Sequence, residues 1–211
     1  MDAGVFLAWI VEAARLVDRH VDHLTHLDAA IGDADHGINL RRGFAAAVAL
    51  LGRIDLQTPG EALAATGSAL IANAGGACGP LYGTGFREAA KTFGDDPEVS
   101  AAQLGTGLAA FLAGVQRVGA AQVGDKTMVD ALAPAVVAYH AVLDSGGDLA
   151  SAAGAAAEAA AAGAETTEGL QARRGRAAFL GPRSIGHEDP GAASTTLILR
   201  ALATAVAAQA P

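Results

Sequence analysis

Apolar residues recur at three- and four-residue spacing along nearly the whole chain, and almost nowhere do they alternate with the period of two that a half-buried strand requires. Phe6, Ile10, Ala13, Val17, Val21 and Leu24 form one such stripe, which reads as a single helix interrupted at Gly32. Leu40, Phe44, Val48 and Leu51 form a second. Thr58-Pro59-Gly60-Glu61 and Ser100-Ala101-Ala102-Gln103 each place a capping hydroxyl three residues ahead of Glu or Gln, so each opens a helix. The pattern predicts further helices over Thr127 to about Asp144, over Asp148 to about Ala164, and from Asp189-Pro190 through Val206. Thr195-Thr196-Leu197-Ile198-Leu199 has the composition of a strand but sits in helical phase. About a quarter of the residues are alanine, the best helix former and small enough to let helix axes approach closely. The expectation is an all-α fold of about eight helices. With no break in composition, residues 1–211 read as one domain.

Charge narrows what such a fold can bind. Lys and Arg number 14 against 22 Asp and Glu, a formal charge of -8, and that surface repels a phosphate backbone. Nucleic acid is therefore not expected as a partner. No apolar run reaches the ~20 residues of a membrane span, and Met1–Ile10 lacks the basic flank of a signal peptide. One cysteine, Cys78, cannot form an internal disulfide and fits a reducing compartment, so the chain is expected in the cytoplasm.

The unusual residues gather between the helices. Asp28, Asp33 and Asp35 fall within eight residues with no Lys or Arg among them, beside Gly32, His36 and Asn39. Each aspartate alone reads as a helix cap. Three like charges that close repel unless solvated or bridged, and hard oxygen ligands in that number suit Mg²⁺. An EF-hand fails, because Ile38 stands where the turn glycine belongs and Phe44 where the bidentate Glu belongs. Asn73 to Gly85 is rich in glycine, which serves either an anion cradle or close helix packing, and it is no Walker A motif. A cysteine in such a loop near a helix start is expected to have a lowered pKa and to react readily. In Gly124-Asp125-Lys126-Thr127-Met128 the lysine reads as an ordinary exposed one. Arg173, Arg174, Arg176 and Arg183 place four basic residues within eleven positions, suited to phosphate or simply to a solvated loop.

Together these segments resemble the nucleotide-binding L subunit of dihydroxyacetone kinase, which is also the C-terminal domain of single-chain dihydroxyacetone kinases. The resemblance rests on Gly-Asp-Ala-Asp-His-Gly-x-Asn at 32–39, Gly-Gly-Ala at 75–77, Gly-Asp-Lys-Thr-Met at 124–128 and Ile-Gly-His-x-Asp-Pro-Gly at 185–191, in that order. It implies a barrel of eight antiparallel helices with the ligand site in the loops at one end. It implies that Asp28, Asp33 and Asp35 hold two Mg²⁺ ions on the phosphates of ADP or ATP. His36, Gly37, Ile38, Asn39, Ala77 and Cys78 would lie against the nucleotide, Gly119 and Met128 beside its nucleoside, and Arg176 with Asp189, Pro190 and Gly191 at the remaining contacts. Where better-known members carry a serine in the glycine loop this chain has Cys78, a weak donor. Its backbone N–H can still serve a phosphate, so a tuned site is expected rather than a dead one.

By the same resemblance no residue here is a covalent catalyst. Phosphoryl transfer depends on positioning and charge neutralisation, and the triose is held on a separate K subunit. The chain ends at Pro211 without a K domain, which favours rephosphorylation of bound ADP by a phosphocarrier M subunit from phosphoenolpyruvate over exchange of ATP. A nucleotide-loaded partner of a transcription regulator is the non-enzymatic alternative. The acceptor is dihydroxyacetone or a related short ketose.

Overall fold

The structure is a computed structural model, and it describes residues 1–209; the last two positions of the 1–211 domain lie outside the described residues. It contains α1 (Ala3–Arg19), α2 (Val21–Ile31), α3 (His36–Leu51), α4 (Pro59–Asn73), α5 (Cys78–Phe93), α6 (Ala101–Gly119), α7 (Val129–Asp144), α8 (Leu149–Thr166) and α9 (Pro190–Ala207). Two 3₁₀ segments, Thr167–Gly169 and Arg176–Ser184, lie between α8 and α9, and no strand occurs among the described residues. None of the described helices is long and apolar enough to cross a membrane.

Eight of these helices close a ring. Packing runs from α1 to α3, then through α4, α5, α6, α7 and α8 to α9, which returns to α1; α2 lies outside against α3 and α9. Alanine and glycine allow the close approaches. A Cβ on Gly67 would come within 2.6 Å of the Gly83 carbonyl, and one on Gly83 within 2.7 Å of the Gly67 carbonyl, so α4 and α5 meet on bare backbone. Inside the ring the few aromatics stack together. Phe86 lies against Trp9, Phe44 and Phe111 with ring centroids 5.5, 6.2 and 5.1 Å away, and the Trp9 indole N–H donates to the Ile198 carbonyl at 2.8 Å. Edge-to-face aromatic pairs add roughly 0.5–1.5 kcal/mol beyond the area they bury.

Both capping boxes form, at Thr58 with Glu61 and at Ser100 with Gln103. Residues 195–199 lie inside α9. Two expectations are corrected. The first stripe is two helices, broken at His20, whose ring Nδ1 sits 2.8 Å from the Leu16 carbonyl and ends the first turn ladder there. The glycine-rich segment is not all loop: α5 begins at Cys78, and Gly79 to Gly85 are helical.

Candidate functional site

The ring's antiparallel order brings the N-termini of α3, α5, α7 and α9 to one end. His36, Cys78, Val129 and Pro190, the first residues of those helices, all line one cavity of about 460 Å³. That is a size suited to a small-molecule ligand. Each N-terminus is the positive end of a helix dipole, so four of them make this end attractive to anions. The opposite charge stands beside them. Asp28, Asp33 and Asp35 offer ligand oxygens all within 4.8 Å of one another, with Asp28 buried, Asp35 half-buried and Asp33 exposed.

Local geometry explains the convergence. Asp28 lies in the last turn of α2 and its Oδ2 accepts from the backbone N–H groups of Asp35 (2.8 Å) and His36 (3.1 Å), which folds the loop back on itself. Gly32 has to be glycine, because a Cβ there would stand 2.0 Å from Asp28 Oδ1. Ala34, between the other two aspartates, has a positive φ of 61°. The other positive-φ non-glycine residues among those described are Ala120 and Lys126, which adjoin or line the same cavity. Left-handed backbone costs an L-residue roughly 1–2 kcal/mol, and here it is confined to one end of the molecule.

The opposite wall is the glycine turn. Gly76 has φ 60°, and a Cβ on Gly75 would meet Asn39 Oδ1 at 2.4 Å. Asn39 is buried, its Oδ1 accepts from Arg42, and its Nδ2 is a buried polar atom with no partner. An unpaired buried donor costs roughly 1–3 kcal/mol. Behind the turn, the Cys78 Sγ lies 3.3 Å from His36 Nδ1, His36 Nε2 lies 2.9 Å from Ser194 Oγ, and the Tyr82 hydroxyl lies 2.7 Å from the same Oγ. Burial pushes the Cys78 thiol up to about 12, and Asp35 and Asp28 push the same way. The expected lowered pKa and reactivity are thus corrected: burial and carboxylates outweigh the helix terminus, and the thiol stays protonated beside His36. Burial likewise takes His36 below the ordinary imidazole range, against the pull of Asp28 and Asp35.

A third wall comes from the segment between α8 and α9. Arg174, Gly175, Arg176 and Ala177 line the cavity, and Arg176 Nε pairs with Asp33 Oδ2 at 2.9 Å. Arg174 Nε lies 3.6 Å from the buried Asp125 carboxylate. Asp189 caps α9 by accepting from the Ala192 N–H at 2.8 Å, and burial raises its carboxyl to about 7. Leu81, Val115, Val118, Gly119, Ala121 and Met128 give the cavity an apolar side.

Of the residues anticipated from sequence, Asp28, Asp33, Asp35, His36, Ala77, Cys78, Gly119, Met128, Arg176, Asp189, Pro190 and Gly191 line this one cavity. Gly37, Ile38 and Asn39 do not. Gly37 packs on α2, where a Cβ would stand 2.3 Å from the Val21 carbonyl; Ile38 is 46% exposed; Asn39 braces the glycine turn from behind. Sequence reasoning missed Lys126, which is not exposed but buried on the cavity wall. Its only local signal was scarcity, as one of two lysines.

Comparison with known proteins agrees with this geometry. The DAK2 domain family matches residues 30–204. The chain is 38% identical to the PEP-dependent dihydroxyacetone kinase, ADP-binding subunit DhaL, of Escherichia coli (strain K12), over 93% of this chain and 94% of that protein. It is 33% identical to the PTS-dependent dihydroxyacetone kinase, ADP-binding subunit DhaL, of Lactococcus lactis subsp. lactis (strain IL1403), over 95% and 96% respectively. Among solved structures, the dihydroxyacetone kinase from C. freundii in complex with AMP-PNP and Mg²⁺ matches with a TM-score of 0.71 at 29% identity, over 96% of this chain and 33% of that one.

Proposed function

The chain belongs to the DAK2 domain family, and on that premise we propose that it is the ADP-binding subunit of a phosphoenolpyruvate-dependent dihydroxyacetone kinase. One observation carries the reading: three clustered carboxylates face four helix N-termini across a single cavity. A bare phosphate would be repelled by the first group and a bare cation by the second. A magnesium–nucleotide complex satisfies both.

The residues fit that ligand. Asp28, Asp33 and Asp35 would hold the metal, two ions by the family resemblance, which would neutralise phosphate charge when bound. The N–H groups of Ala77 and Cys78, at the start of α5, suit phosphate oxygens. Arg174 and Arg176 offer guanidinium forks, and Met128 with its apolar neighbours gives the nucleoside a dry wall. His36, bonded on both ring nitrogens, fixes the loop rather than moving a proton.

No nucleophile is assigned to this chain. When charged to ATP, the bound nucleotide would supply its terminal phosphoryl group to a hydroxyl of dihydroxyacetone, or a related short ketose, held on a K subunit, leaving ADP in the cavity. An M subunit rephosphorylates the retained ADP. Reconstitution tests this. The chain with K and M subunits and phosphoenolpyruvate is expected to phosphorylate dihydroxyacetone on catalytic ADP, with little turnover when the M subunit is omitted and ATP supplied. Equal turnover on ATP without the M subunit would contradict the phosphorelay.

A further inference from the structure

Lys126 is a buried charge for which phosphate binding gives no sufficient account. Its side chain is 1% exposed and its backbone is left-handed at φ 62°, a conformation L side chains rarely adopt. Its ammonium donates to two backbone carbonyls, those of Thr167 and His187. These carbonyls stand on either side of the segment 168–186, which crosses the cavity wall with Arg174 and Arg176. Asp189, Glu168 and Asp130 surround the ammonium at longer range.

Among the described residues the only other charged tie near the neck is the 3.6 Å approach of Arg174 Nε to the Asp125 carboxylate. Gly186 N–H donates to the Glu168 carbonyl at 2.7 Å, Asp189 N–H to Thr167 Oγ1 at 2.9 Å, and Arg173 N–H to the Asp125 carbonyl at 3.0 Å. Beyond the neck the segment has little apolar anchorage. Ala172, Ala177 and Leu180 meet only Ile31 in a small cluster apart from the main core, and Phe179 is 90% exposed. Few buried contacts place a segment at the low end of local stability.

We propose that Lys126 is a positioning residue whose ammonium latches the neck of segment 168–186 and thereby holds Arg174 and Arg176 over the cavity. Closing a loop costs entropy, and one group bonded to both stems meets that cost at a single point. An ammonium suits this role, because it carries several donors on a flexible stem and because charged donors make stronger bonds to carbonyls than neutral ones. The latch is independent of ligand, whereas its effect on nucleotide retention rests on the function proposed above.

The test compares Lys126→Met, which keeps the stem and removes the donors, with Lys126→Arg, which keeps donors. Without nucleotide, trypsin is expected to cut Lys126→Met after Arg173, Arg174, Arg176 and Arg183 about tenfold faster or more, because both charge-assisted bonds to the stems are lost, with cleavage at Arg15 and Arg87 unchanged. Release of Mg-ADP should accelerate by a similar factor, and Lys126→Arg should recover most of both. Wild-type cleavage and release in Lys126→Met, or faster cleavage everywhere with no recovery in Lys126→Arg, overturns the latch. If Lys126→Met does not fold, hydrogen exchange of the wild-type chain decides: amides 170–188 must exchange together and slow as one block with Mg-ADP, and independent exchange overturns the proposal. A wild-type chain that binds no ADP defeats the functional reading alone, since nucleotide-free cleavage still decides the latch.

Discussion

The aromatic interior of the ring and the loop end of the ring are built on opposite principles. Around Phe86 almost everything buried is apolar, and backbone groups are satisfied within helices. At the other end Asp28, Asp125, Lys126 and Asp130 are withdrawn from water, three non-glycine residues hold positive φ, and one buried amide goes unpaired. Such features destabilise a fold and persist where the surrounding structure over-determines them. The interior therefore carries the stability and the loop end spends part of it on a prearranged site.

The sharpest way to break that contrast is Phe86→Ala. Truncating a ring packed against three other aromatics should cost about 3–5 kcal/mol, read by urea denaturation, and nucleotide affinity should fall only as the fold is lost. A cost under about 1 kcal/mol would mean the interior is not the main source of stability.

An effect of comparable size separates the two ends by pH. Asp189 has a folded pKa of about 7 against an ordinary value near 3.8, so the folded chain keeps a proton that the unfolded chain has released. Its contribution is full below about pH 4, declines as pH rises towards 7 and is level above, with a slope of at most about 1.4 kcal/mol per pH unit for one proton. In nucleotide-free protein Asp189→Asn, which can still cap α9, should flatten that decline. An unchanged profile would show that Asp189 is not buried as described.

The smallest effect concerns strain. Ala120 ends α6 in left-handed backbone, the position where glycine is favoured. Ala120→Gly should raise stability by about 0.5–1 kcal/mol in thermal or urea unfolding. A loss of stability would remove Ala120 from the strained set.

The same division governs what could be read from the sequence. Helices at the apolar end were legible because periodicity and capping residues act locally: Thr58 with Glu61 and Ser100 with Gln103 formed as their spacing required. The three aspartates were legible as a cluster because their repulsion needs no knowledge of the fold. Lys126 was not, since its partners lie 41 and 61 residues away and nothing in Gly-Asp-Lys-Thr-Met encodes burial. Cys78 misled for the same reason: its helix terminus was local, but the carboxylates and burial that raise its pKa come from tertiary structure. The break at His20 was hidden because the apolar stripe keeps its phase through it.

If the loop end is a magnesium–nucleotide site, its exposed carboxylate, Asp33, serves binding and not the fold. Asp33 is the residue on which to test it, because it is exposed and its pairing with Arg176 at the surface contributes little to stability. Wild-type chain and Asp33→Ala would be purified and dialysed in Mg²⁺ buffer, denatured, and the released nucleotide quantified by chromatography beside a melting curve of the nucleotide-free forms. Near-stoichiometric ADP is expected from the wild type, none from Asp33→Ala, and nucleotide-free melting curves within about 0.5 kcal/mol of each other. An empty wild-type chain that gains no stability from added Mg-ADP, or an Asp33→Ala chain that keeps its ADP, would contradict this.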